Sequence, residues 1–151
     1  MSLPRKVGVS GDEAMAYASK LTEKLGDNGL VVVYPYFIAE KSGTLKVELN
    51  RIIIETVKGD LWNFVSDGYK NATIIIQNDG EEDILGDEEF LSEVEKDEIV
   101  KWVPKIRGMF RDDIYSGESV LLEWSFASDS DSKGEKISDS YLVFYEARTV
   151  E

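Results

Sequence analysis

The sequence predicts an α+β protein: a largely antiparallel sheet with one or two helices packed on one side. Two observations predict it. Short runs rich in apolar and β-branched residues recur along the chain, two of them separated only by Leu49-Asn50, as in a hairpin. Two other segments space their apolar residues with helical periodicity. At 151 residues the chain is long enough for one domain with a real core or for two small lobes. A single domain over residues 1–151 is expected, with residues 1–9 flexible or an expression remnant.

The first helix is read over residues 11–25. Ser10 and Glu13 have capping-box spacing, Ala14, Tyr17, Ala18, Leu21 and Leu25 follow as an apolar stripe, and Gly26 supplies a stop. Leu30-Val31-Val32-Val33-Tyr34 then reads as a strand buried on both faces, interrupted by Pro35. Ser42-Gly43 reads as a turn or bulge. Thr44 to Glu48 and Arg51 to Val57 form the hairpin, and Lys58-Gly59-Asp60 ends it. Trp62 to Ser66 is a short strand or helical turn before the turn signal Asp67-Gly68, and Ala72 to Gln77 is a further strand.

Asn78 to Glu89 is expected to be an acidic loop. Asp97 can cap a helix over residues 98–110, with Ile99, Val103, Ile106 and Phe110 as its apolar stripe and a kink at Pro104. Trp62 and Trp102 read as core or interface residues. The last strands are expected at about 119–127 and 140–147, joined by the polar tip Ser128 to Gly134. That tip alternates acids but lacks the full Asp-x-Asp-x-Asp-Gly-x5-Glu calcium pattern.

Composition narrows the chemistry. The chain has no cysteine, which excludes disulfides and thiolate chemistry and makes a cytoplasmic location the default expectation. It has no histidine either, so acid–base or metal chemistry must use carboxylates, Arg, Lys, Tyr or backbone groups. A net charge of −13 argues against a nucleic acid or an anionic membrane as partner. No apolar run approaches membrane-spanning length, and the N-terminus lacks the apolar segment of a signal peptide.

The last two strands carry the most suggestive chemistry. Each holds one carboxylate inside an apolar stretch, Glu123 and Glu146, and an acid there is costly unless it faces water, a cation or a donor. If the strands pair, the two glutamates can approach one another. Arg148, two residues beyond Glu146, shares its face. A carboxylate pair beside a guanidinium suits a metal and a nucleotide phosphate.

Four segments, taken in order, resemble the ATP-binding domain of phosphoenolpyruvate synthase and pyruvate phosphate dikinase. Val31 to Gly43 is similar to the family's Val-Val-Val-Gln-x-Met-Val stretch running into Ala-(Asp/Glu)-x-Ser-Gly. Ile52 to Ser66 resembles Ile-Glu-Ala-x-x-Gly-Leu-Gly-Glu-x-x-Val-Ser. Leu122-Glu123-Trp124 resembles Ile-Glu-Trp, and Glu146-Ala147-Arg148 resembles Gln-Ala-Arg. The resemblance implies the C-terminal part of an ATP-grasp fold, belonging to a phosphotransferase (kinase) that uses ATP and Mg2+.

It further implies Glu123 and Glu146 as metal ligands, Arg148 as a catalytic contact to the transferring phosphate, and Tyr34 and Tyr36 beside adenine. The family's N-terminal ATP-grasp part and its phosphohistidine domain have no counterpart here. The implied partners are therefore a nucleotide and that missing part, or other domains of a parent protein. Homo-oligomers are also expected, through an inter-lobe face left exposed, and the chain alone should not turn over. Three positions depart from the pattern: Gly-Leu-Gly-Glu is Gly59-Asp60-Leu61-Trp62, an Asp is Leu121, and a Pro is Thr149. They fit an alternative in which the chain is a degenerate, non-catalytic interaction or regulatory module.

Overall fold

The structure, a computed structural model, describes residues 4–6, 9–34, 36–61, 70–131 and 133–151. The chain divides into two compact units, Met1–Ile38 with Ser128–Asp139, and Ala39–Ala127 with Ser140–Glu151. Secondary structure is α+β, with one six-stranded sheet.

In the first unit, α1 (Gly11–Leu25) forms as the sequence predicts. Both halves of the capping box are made between Ser10 and Glu13, and Gly26 ends the helix with φ of 53°. None of its residues is buried. The expected strand over Leu30 to Tyr34 does not form: the run has no regular structure, and Leu30 is 93% exposed. β propensity describes a fit to a pleated, half-buried surface, and this run pairs with no strand among the described residues.

The second unit holds the sheet. The strands are β1 (Phe37–Val47), β2 (Arg51–Lys58), β3 (Ala72–Gln77), β4 (Glu82–Gly86), β5 (Ser119–Asp129) and β6 (Tyr141–Val150), in spatial order β4-β3-β2-β1-β5-β6. The β1–β2, β2–β3, β3–β4 and β5–β6 pairs are antiparallel. The β1–β2 hairpin turns at Leu49-Asn50, as expected.

Ser42-Gly43 is neither turn nor bulge, since β1 runs straight through it. The glycine serves close approach instead. A Cβ on Gly43 would lie 1.8 Å from the Glu55 carbonyl oxygen and 2.7 Å from the Trp124 ring. The acidic stretch expected as a loop contains β4, whose Ile84 pairs with Ile74 of β3. Trp62 to Ser66 and Asp67-Gly68 lie outside the described residues.

One sheet face carries Leu45, Val47, Ile52, Ile54, Ile74, Val120, Leu122, Trp124 and Phe126 in a single buried cluster. Ile99, Val103, Ile106 and Ile114 close it from a helical layer, α2 (Glu93–Val100), α3 (Val103–Met109) and α4 (Arg111–Tyr115). The predicted stripe is right, whereas the single kinked helix is replaced by this series. Its cap is Ser92, in a capping box with Glu95, and Pro104 sits in the first turn of α3, where no backbone donor is lost. Trp102 is exposed rather than part of the core.

Polar ties hold the layers together. Lys41 donates to the Phe90 carbonyl at 2.8 Å and to Glu95 at 2.7 Å. Lys96 is buried and bridges Glu82 of β4 and Glu93. Arg107 donates to the Glu48 carbonyl in the β1–β2 turn and to Asn78.

Candidate functional site

The opposite face of the sheet carries the polar chemistry. Side chains alternate along a strand, so Leu122, Trp124 and Phe126 face the helices while Glu123 and Ser125 face away. Glu123 of β5 is directly opposite Glu146 of β6, and Leu121 is opposite Arg148. Residues directly opposite in an antiparallel pair share a face. Glu123, Glu146 and Arg148 therefore meet on one surface, as the sequence predicts for paired strands. Arg148 forms an ion pair with Glu146, and its guanidinium lies 3.7 Å from Glu123.

The two glutamates differ in exposure, with 21% of the Glu123 side chain accessible against 46% for Glu146. Burial, then the neighbouring Glu146 carboxylate, push the Glu123 carboxyl above its ordinary range, and Arg148 opposes them in part.

The register slips by one residue beside the pair. Glu123 faces Glu146, but Trp124 faces Phe144, so Tyr145 is the extra residue of a β-bulge. Its phenol oxygen lies 3.4 Å from Ser125 Oγ. Burial pushes the phenol up to about 12, and the Glu123, Asp60 and Glu146 carboxylates add to the shift against the Ser125 hydrogen bond. Tyr145, which no sequence motif marks, and Asp60 thus belong to the electrostatics of the site. Alternation alone would give Tyr145 the opposite face to Glu146, and only the bulge overrides it.

Glu55 is a further carboxylate on this face. It accepts from Thr44 at 3.3 Å and pairs with Lys70. Tyr34 and Tyr36, the residues implied beside adenine, lie in the first unit and are exposed. The Tyr36 carbonyl accepts from Ser130 at 3.1 Å within that unit.

Among the described residues no group of three or more Asp or Glu side chains is arranged to hold a metal. Two carboxylates are nevertheless a competent set for Mg2+, which usually keeps several waters and takes one or two carboxylates together with substrate phosphates. The donors fit a metal brought in with a nucleotide better than a cage for a bare ion. No helix among the described residues is long and apolar enough to cross a membrane.

Comparison with known proteins returns no match, whether to a protein family, a curated protein or a solved structure.

Proposed function

We propose that the chain is the C-terminal, metal-bearing part of an ATP-grasp phosphotransferase domain of the phosphoenolpyruvate synthase and pyruvate phosphate dikinase type. The observation that carries this reading is the facing Glu123–Glu146 pair with Arg148 beside both. Opposed carboxylates on adjacent strands are unfavourable unless something positive lies between or above them. Partly exposed, they can be reached from solution.

In this reading Glu123 and Glu146 hold Mg2+ with ATP. Bound there, the ion would neutralise charge on the phosphate oxygens. Arg148 would leave its ion pair with Glu146 to stabilise charge on the transferring phosphoryl group. Tyr34 and Tyr36 would flank adenine, and the partners would be a nucleotide and the family's N-terminal ATP-grasp part or other domains of a parent protein. The chain alone binds Mg-ATP weakly and does not turn over. The net charge of −13 argues against a nucleic acid or an anionic membrane as partner, and a cytoplasmic location fits a chain without cysteine.

A second reading has its own observation. Arg148 already compensates the carboxylate pair without any ligand, as a purely structural ion cluster would, and Gly59 is followed by Asp60-Leu61 instead of a glycine-rich turn. In that case the chain is a non-catalytic interaction or regulatory module that keeps the sheet.

Titration with Mg-ATP, followed by tryptophan fluorescence and calorimetry, separates the two. Saturable binding in the millimolar range, lost in Glu123→Gln, supports the first reading. A folded protein with no saturable change sinks it and leaves the second.

A further inference from the structure

We propose that Tyr145 is a positioning residue for the Glu123–Glu146 pair, held by a buried hydroxyl chain that runs through Ser125 and Ser42 to the Gly59 carbonyl. The proposal rests on the reading of that pair as a metal edge, and it assigns a role to Tyr145 and Ser125, which belong to none of the four segments.

The chain is continuous. Ser42 Oγ donates to the Gly59 carbonyl at 2.6 Å, the Ser42 and Ser125 hydroxyls are 2.7 Å apart, and Ser125 Oγ is 3.4 Å from Tyr145 Oη. Ser42 is 0% exposed and Ser125 1%, so neither hydroxyl can turn to water if a partner is removed. Both serines sit on the carboxylate face, Ser42 on β1 and Ser125 two residues beyond Glu123 on β5.

The bulge supplies the other end of the device. It inserts Tyr145 next to Glu146, with its hydroxyl on Ser125, two residues along β5 from Glu123. Tyr145 is 42% exposed, and its ring is held at its tip by Ser125 and at its backbone by the bulge. It limits where the Glu123 and Glu146 side chains can turn, as an outer-shell partner orients a metal ligand. The far end is the Gly59 carbonyl, in the turn that leaves β2, where φ at Gly59 is 75°. A change at that turn is therefore transmitted to the carboxylates through the hydroxyls.

The test compares wild type with Tyr145→Phe, Ser42→Ala and the double variant. The readouts are the side-chain carboxyl 13C resonances of Glu123 and Glu146 at fixed pH without metal, and Mn2+-induced broadening of the same resonances. Ser42 touches neither glutamate directly, so a merely local role leaves both readouts unmoved in Ser42→Ala. The expected result is that each single variant shifts both resonances and weakens Mn2+ roughly tenfold. The double variant should be no worse than the more severe single one, because the hydroxyls act as one unit.

Unchanged resonances in a folded Tyr145→Phe, or effects that add in the double variant, overturn the proposal. If Ser42→Ala does not fold, Ser125→Ala takes its place in the comparison. If wild type takes up no Mn2+, the metal reading of the pair fails, and the metal-free resonances still decide whether Tyr145 positions it.

Discussion

Replacing Glu123 with Gln should make the ligand-free protein more stable at neutral pH, although it removes an ion-pair partner of Arg148 from a strand. Facing residues on an antiparallel pair have Cβ atoms about 5 Å apart, and like charges at that range repel by about 1 kcal/mol in water and about 3 at an effective dielectric of 20. With side-chain exposures of 21% and 46%, both carboxylates are solvent-screened, so the low end applies, and Arg148 at 3.7 Å cancels part of it. The net gain is about 0.5–1 kcal/mol, or roughly 1–4 °C in Tm for a chain of this size.

The pH dependence tests whether ionisation of Glu123, disfavoured by burial and then by Glu146, is the cause. The folded-state pKa of Glu123 is raised, so ionising it costs stability in full above that pKa and not at all below the ordinary glutamate value. The advantage of Gln should therefore be present at pH 7 and vanish as the pH falls below about 4. Urea denaturation of both proteins across that range measures it. Wild type should also gain about 1.4 kcal/mol from Mg-ATP at ten times its Kd, and the variant nothing. A variant less stable than wild type at pH 7 without ligand, or a stability difference that ignores pH, would refute the electrostatic argument.

Gly43→Ala should cost about 2–3 kcal/mol in denaturant unfolding, because its methyl would collide with the Glu55 carbonyl and the Trp124 ring, neither of which can yield easily. Ser92→Ala should cost about 1 kcal/mol by loss of the α2 cap. For Glu95, burial is outweighed by the Lys41 and Ser92 hydrogen bonds, which hold its carboxyl below the ordinary range. The ion pair therefore stabilises the fold above the ordinary glutamate pKa, and that contribution, at most about 1 kcal/mol, is lost as the pH falls through the lowered folded value; Glu95→Gln should flatten this limb of the acid-unfolding curve. Val32→Asp should change stability by less than about 0.5 kcal/mol, since the side chain is 76% exposed.

The helix at Gly11–Leu25, the β1–β2 hairpin and the β3 strand were legible because each is specified locally, by a cap, an apolar period or a turn. The same signature was present at Ser92 and Glu95, where it marks the true start of the helical layer, one turn before Asp97. β4 was not legible. A five-residue acidic strand with one half-buried Ile becomes a strand because β3 offers an open edge, and Lys96 neutralises its Glu82 from the helix above. The run Leu30 to Tyr34 errs in the other direction, since strong propensity produces no strand without a partner.

From the residues alone, Glu123 is placed on one strand and Glu146 and Arg148 two apart on another, and a chain without histidine or cysteine is left with carboxylates, Arg, Lys, Tyr or backbone groups for any chemistry. What those groups face depends on how the strands pair. Pairing set Glu123 against Glu146, and a one-residue bulge turned Tyr145 onto their face. Sheet packing buried Ser42 and Ser125, residues 83 apart in the chain, within 2.7 Å of one another. Strand period is a local property of the chain. Register, bulges and burial depend on neighbours distant in sequence, whose contacts exist only once the sheet has formed.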